Sequence, residues 1–185
     1  ELLDNVNRTL KEDLEDTIKR DSKISLAAAY FSIYAYQELK YQFEQIDEFR
    51  FIFTSPTFVT DKVAKESREF YIPRIQREKG IYGTEFEVRL RNELTQKAIA
   101  RECADWIRSK ATFKSNITAE IIMGFLNVDD TSYYPINGFT TVDLGCERGN
   151  NMFTAITKTN ASENSRYYLR KFDEVWNDTT KLQDV

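Results

Sequence analysis

The chain has 185 residues with 41% apolar and 30% charged residues and a formal net charge of −4, enough for one ordinary domain with a core and a polar surface. It contains no histidine, which removes Ser-His-Asp and Cys-His nucleophile systems, phosphohistidine chemistry and histidine-containing zinc sites. Its two cysteines, far apart at Cys103 and Cys146, make neither a disulfide framework nor a four-thiolate site, and they fit buried thiols in a reducing, cytoplasmic setting.

The elements follow in chain order. In "LLDNVNRTLKEDLEDTIKR", Leu3, Val6, Leu10, Leu14 and Ile18 recur at helical spacing and predict an amphipathic helix. "KISLAAAYFS" is a near-continuous apolar run, the pattern of a strand buried on both faces. "YAYQELKYQFEQI" returns to helical period through Ala35, Leu39, Phe43 and Ile46, and "EFRFIFTSP" alternates Phe49, Phe51 and Phe53 before a proline. Strand, helix and strand in so short a span predict a βαβ unit and an at least partly parallel sheet.

From about 60 to 110 the pattern predicts a helical insertion, its long last helix opened by a capping box at Thr84 and Glu87. Phe86, Leu90, Leu94, Ala98, Cys103 and Ile107 form that helix's apolar stripe. Strand-like pieces follow in "ATFKSNI", "EIIMGFLNV", "GFTTVDL" and "NMFTAITK", with a turn at Asp129 and Asp130. "SRYYLRKFDEVWND" closes as a helix with Tyr168, Phe172 and Val175 inward, and Trp106, Trp176 and Met152 read as core residues. The fold class is α/β: one domain over 1–185, with a mixed sheet flanked by helices. No apolar run is long enough for a membrane span. A start at Glu1 and an end at "KLQDV" give the expectation of a piece cut from a longer protein.

Charge is segregated. Residues 62–114 carry 13 bases against 8 acids, whereas 1–61 carry 7 against 12. Arg68, Arg74, Arg77, Lys79, Arg89, Arg91, Lys97 and Arg101, interleaved with Phe70, Tyr71, Tyr82 and Phe86, are the candidate nucleic-acid residues, since cations neutralise phosphates and rings stack on bases. A solvated helix with pairs such as Glu87 and Arg91 fits the same residues. Asp21 with Glu38-Leu39-Lys40 imitates a metal-nuclease signature, but Glu38 and Lys40 two apart on a helix face different ways. "GCERGNN" lacks the Lys-Ser or Lys-Thr of a phosphate loop.

The order of these pieces resembles the phospholipase D-like domain at the N-terminus of certain bacterial helicases. "KISLAAAYFSIYAYQEL" and "FRFIFTSP" are similar to its first strand, helix and second strand, and "ECADWI" before "ATFKSN" to the stretch leading to its active-site strand. "PINGFTTVDLG" resembles its Gly-Ser-Ser-Asn-Phe-Thr…Gly-Leu segment, and "LRKFDEVWND…LQDV" the junction into a helicase core of the SWI/SNF type. In this register the family's histidine falls on Ile121, its phosphate-holding lysine on Met123, and its Ser-Asn pair on Asn137-Gly138. A nucleophile that must form a covalent phosphoryl intermediate has no substitute in isoleucine. The resemblance therefore implies a non-catalytic accessory domain of an ATP-dependent DNA helicase, with DNA and the downstream motor as partners and no metal or cofactor of its own. ATP and Mg²⁺ would serve the motor. Ile121 and Met123 are expected to fill the former phosphate pocket with hydrocarbon. A protein-interaction or homodimerisation module is the alternative, and a metal nuclease using Glu85 and Glu87 a third reading.

Overall fold

The computed structural model describes residues 1–55, 59–60, 70–71 and 96–185. Its elements are β1 (Leu2–Leu3), α1 (Leu10–Thr17), β2 (Lys23–Ala28), α2 (Ile33–Glu38), α3 (Lys40–Gln45), β3 (Glu48–Phe53), β4 (Val59–Thr60), β5 (Phe70–Tyr71), α4 (Gln96–Lys110), β6 (Ala111–Asn116), β7 (Phe125–Val128), β8 (Thr131–Tyr134), β9 (Ile156–Asn160), α5 (Glu163–Trp176) and β10 (Leu182–Asp184). Eight strands form one mixed open sheet in the order β1-β9-β8-β7-β2-β3-β6-β10. Strands β2, β3 and β6 are parallel, and the remaining pairings are antiparallel.

The βαβ expectation holds. Strand β2 is buried from Ile24 to Ala28, as its apolar run requires, and α2 and α3 connect it to the parallel β3. In β3 the alternation sends Phe49 and Phe51 into an aromatic cluster with Phe31, Phe113 and Phe139, while Arg50 and Ile52 face the other way. Trp106 of α4 stacks on Phe43 at 5.1 Å, and its indole N–H donates to the Phe43 carbonyl at 2.9 Å. Buried tryptophan needs such a partner for its one polar atom. The helix α4 passes into β6 with no residue between them, and Lys110 Nζ donates to the carbonyls of Glu44 and Ile46. On the opposite face α5 lies over Ala27, Ile52 and Phe125 through Phe172.

Several expected elements are shorter than the sequence pattern. The first helix starts only at Leu10, where Thr9 and Glu12 form a capping box; Leu2–Leu3 pairs with β9 instead, and Val6 is exposed. The cause lies at Asp4, whose carboxylate accepts from the amides of Val6 and Asn7 and forms a turn ahead of the cap. "EIIMGFLNV" is a strand only from Phe125 to Val128. Before it, the Asn116 side chain accepts from the Thr118 amide and donates to the Glu120 carbonyl, holding a loop. "GFTTVDL" is a turn: Leu144 N–H bonds to the Thr140 carbonyl, and Asp143 accepts from the Thr140 amide and hydroxyl. In "NMFTAITK" the strand begins at Ile156, and Met152, expected in the core, is almost fully exposed.

Strands β8 and β10 arise where no strand is expected from the residue pattern, and "LQDV", read as a junction, pairs antiparallel with β6. Within the span read as helical, Val59–Thr60 and Phe70–Tyr71 form an antiparallel pair. The capping box at Thr84 lies outside the described residues, whereas Gln96–Lys110 is helical as expected. Among the described residues no helix is long and apolar enough to cross a membrane.

Candidate functional site

The loop 117–124 and α5 enclose a groove of about 330 Å³ beside the carboxyl ends of β2, β3 and β6. Ala27, Ile52 and Phe125 come to it from the sheet, and Tyr168 and Phe172 from α5. Its rim carries exposed ion pairs, Lys181 with Glu120 at 2.8 Å and Lys171 with Glu174 at 2.6 Å. Such exposed pairs hold little energy.

The two positions that the resemblance assigns to histidine and lysine do not plug this space. Ile121 is 96% exposed and Met123 50%, so the expectation that they bury hydrocarbon in a former pocket is corrected. Side-chain alternation explains the reversal: Ile122, between them, turns inward and packs against Phe125 and its neighbours, which leaves both flanking residues at the lip. Gly124 then lets the chain enter β7, because a Cβ there would lie 1.7 Å from the Ile136 carbonyl oxygen. That close approach admits glycine only.

Asn137 and Gly138 stand elsewhere. Asn137 lines a separate cavity of about 240 Å³ with Asn5, Asp143 and Asn151. A Cβ on Gly138 would meet Asp143 Oδ2 at 2.7 Å and the Tyr30 ring at 3.1 Å. Burial pushes the Asp143 carboxyl up, against the opposing bonds from Thr140. Of the four degenerate positions, Ile121 and Met123 thus line one cavity and Asn137 another, while Gly138 packs against Asp143 and Tyr30. Placing Ile121→His and Met123→Lys together is expected to restore no phosphodiesterase activity on a chromogenic diester. It should change unfolding stability by no more than about 0.5 kcal/mol, because both sites are exposed. Diester turnover above the untreated blank would contradict that.

Arg68, Arg74, Arg77, Lys79, Arg89 and Arg91 lie outside the described residues, as does the side chain of Lys97; Arg101 is exposed on α4. The nuclease-like residues are dispersed: Glu38 pairs with Lys11 at 2.6 Å and Lys40 with Glu102 at 2.8 Å. Among the described residues no group of three or more acids or cysteines could hold a metal ion. Burial pushes the Cys103 thiol up to about 12, so its packing role stands, and Cys146 is a second free thiol.

Sequence reasoning passed over Arg50 and Lys114, which share the α5 face of the sheet. Arg50 Nη1 lies 2.8 Å from Asp173 Oδ1, its Nη2 donates to Ser25 Oγ at 2.8 Å, and its guanidinium sits 5.0 Å from the Phe172 ring centre. Lys114 Nζ lies 4.7 Å from the Trp176 ring centre and donates to the Trp176 carbonyl at 3.1 Å. The alternation of "EFRFIF" was the available signal, since it sets Arg50 opposite the buried phenylalanines. No family model matches the chain, and no curated protein matches it.

Proposed function

We propose that this chain is a non-catalytic accessory domain of phospholipase D-like architecture, serving an ATP-dependent DNA helicase or translocase by engaging DNA or biasing the motor. The observation that carries the reading is the absence of histidine from a chain whose sequence order of strand and helix patterns resembles that domain. Without the nucleophile the covalent phosphoryl intermediate cannot form. The separation of Asn137 from Ile121 and Met123 supports the same reading. In it, ATP and Mg²⁺ belong to the motor, and this domain uses no cofactor.

Fluorescence anisotropy with labelled duplex and single-stranded DNA tests the DNA part. Binding is expected at low salt and should weaken as salt rises, because phosphate contacts release counterions. No binding even at low salt would sink it. A second reading, an interaction or dimerisation module without nucleic-acid contact, is favoured by Ile121, Met123 and the 47%-exposed Tyr167 around one groove. Sedimentation velocity separates the two: assembly without DNA binding supports the module.

A further inference from the structure

Register across the sheet places Thr112, Arg50, Ser25, Asn127, Ser132 and Thr159 side by side in one transverse row through β6, β3, β2, β7, β8 and β9. Every member is polar, and the row faces α5: Arg50 meets Asp173, and Ser132 Oγ lies 3.3 Å from the Ser165 carbonyl. The adjacent row runs through the apolar Phe125, Ala27 and Ile52, as a helix-covered sheet face ordinarily does, and ends on Lys114 of β6. Arg50 Nε, Asn127 Nδ2 and Thr159 Oγ1 are buried without a hydrogen-bond partner among the described residues. A donor left unmade costs free energy that folding must offset, so a row with three such atoms is poorly served by its cover.

That cover is held along one face: of the 14 residues of α5, Ser165 and Phe172 are fully buried, and Tyr168, Val175 and Trp176 are partly buried against the apolar cluster. Its contacts fall on both sheet cations. Asp173 sets a carboxylate on Arg50, the rings of Phe172 and Trp176 lie over the same guanidinium, and Trp176 covers Lys114. Glu48 and Asp184 each approach these cations only to 3.9 Å. An oxyanion on a guanidinium and flat rings over cations are what a nucleotide's phosphate and base would offer.

We propose that α5 is an internal cover on a single-strand nucleic-acid face of the sheet. Asp173 holds the place of a phosphate, and Phe172 and Trp176 hold the places of bases. Displacement of α5 bares Arg50, Lys114 and the row of amide and hydroxyl groups. It also frees the rings of Phe125 and Tyr134, which now lie 5.2 and 4.5 Å from Tyr168, for stacking. The inference rests on the DNA-engaging reading above.

Anisotropy with labelled oligothymidylate and oligouridylate, at low salt, tests it. Asp173→Asn keeps a polar group beside Arg50 but removes the competing charge. It is expected to tighten binding by about tenfold, the equivalent of about 1.4 kcal/mol. Arg50→Ala in that background should abolish the gain, with thermal melts confirming that both variants fold. Repeating the comparison between oligodeoxyuridylate and oligouridylate, which share one base, identifies the sugar that is read. As a second measurement on the unaltered chain, saturating oligonucleotide should speed hydrogen exchange of the α5 amides while β2 stays protected. Equal affinities for all variants, or α5 exchange unchanged by ligand, would overturn the cover and leave DNA engagement elsewhere intact. No binding by any variant would overturn both.

Discussion

Replacing Asp13 with alanine is expected to lower the unfolding free energy by about 3–5 kcal/mol, the range for breaking a buried ion pair by removing one partner. The Asp13 side chain is 1% exposed and receives Lys158 Nζ at 2.8 Å, Arg8 Nε at 3.0 Å, the Tyr133 hydroxyl at 2.7 Å and, more distantly, the Thr17 hydroxyl at 3.4 Å. They tie α1 to β8 and β9. Without the carboxylate, the nearly buried Lys158 ammonium loses its counter-charge, and the Tyr133 hydroxyl keeps only Thr17 Oγ1 at 2.8 Å. The acid side of stability should change as well. Burial pushes the Asp13 carboxyl up, but the bonds from Lys158, Tyr133 and Arg8 outweigh it and hold the group below the ordinary carboxylate value. Its contribution is therefore complete above about pH 4, the unfolded value, and is lost as pH falls through the lower folded value. Urea unfolding at a series of pH values checks both statements. A loss near zero at neutral pH, or an unaltered acid limb in the variant, would refute them.

Phe49→Ala should cost a similar amount, about 3–5 kcal/mol, by a different route. Phe49 is fully buried, and its ring centre lies 5.1 Å from Trp106, 5.5 Å from Phe43 and 6.2 Å from both Phe31 and Phe113. Truncation leaves a cavity walled by large rings that cannot all collapse into it, so the transfer loss and the cavity loss add. Phe153→Ala is the matched control. That ring is 82% exposed, and its removal is expected to shift stability by no more than about 0.5 kcal/mol. Comparable losses for the two in chemical denaturation would contradict the aromatic core described for β3.

The contrast between those two phenylalanines also shows what was legible in the sequence. Phe49 sits in strict alternation with Phe51 and Phe53, and period two on a βαβ strand has one physical meaning. The central sheet could therefore be read directly. Phe153 and Met152 are as apolar, and a strand-like spacing in "NMFTAITK" assigned Met152 to the core, whereas it is almost fully exposed. The same limit applies to Ile121 and Met123. A run of three apolar residues, Ile121 to Met123, does not reveal which ones turn outward; that depends on Asn116, whose side chain holds the loop before β7. Strand β8 escaped notice because Thr131 and Ser132 are polar and nevertheless buried. Arg50 and Lys114 were missed for a related reason: their surroundings come from α5, more than fifty residues further along the chain. Such pairings are tertiary facts that local spacing does not encode.

The direct passage of α4 into β6 has a mechanical consequence. With no connecting residue, helix and strand share one load path. Tension applied at the helix's N-terminal end reaches β6 at its first residue, Ala111, and is resisted by the pairing of β6 with β3 and β10. Slippage by a single residue would turn Phe113 and Ser115 to the wrong faces, so intermediate positions are closed to it. With no loop to take up slack, a displacement of α4 at Lys110 is passed directly to Ala111 and the sheet.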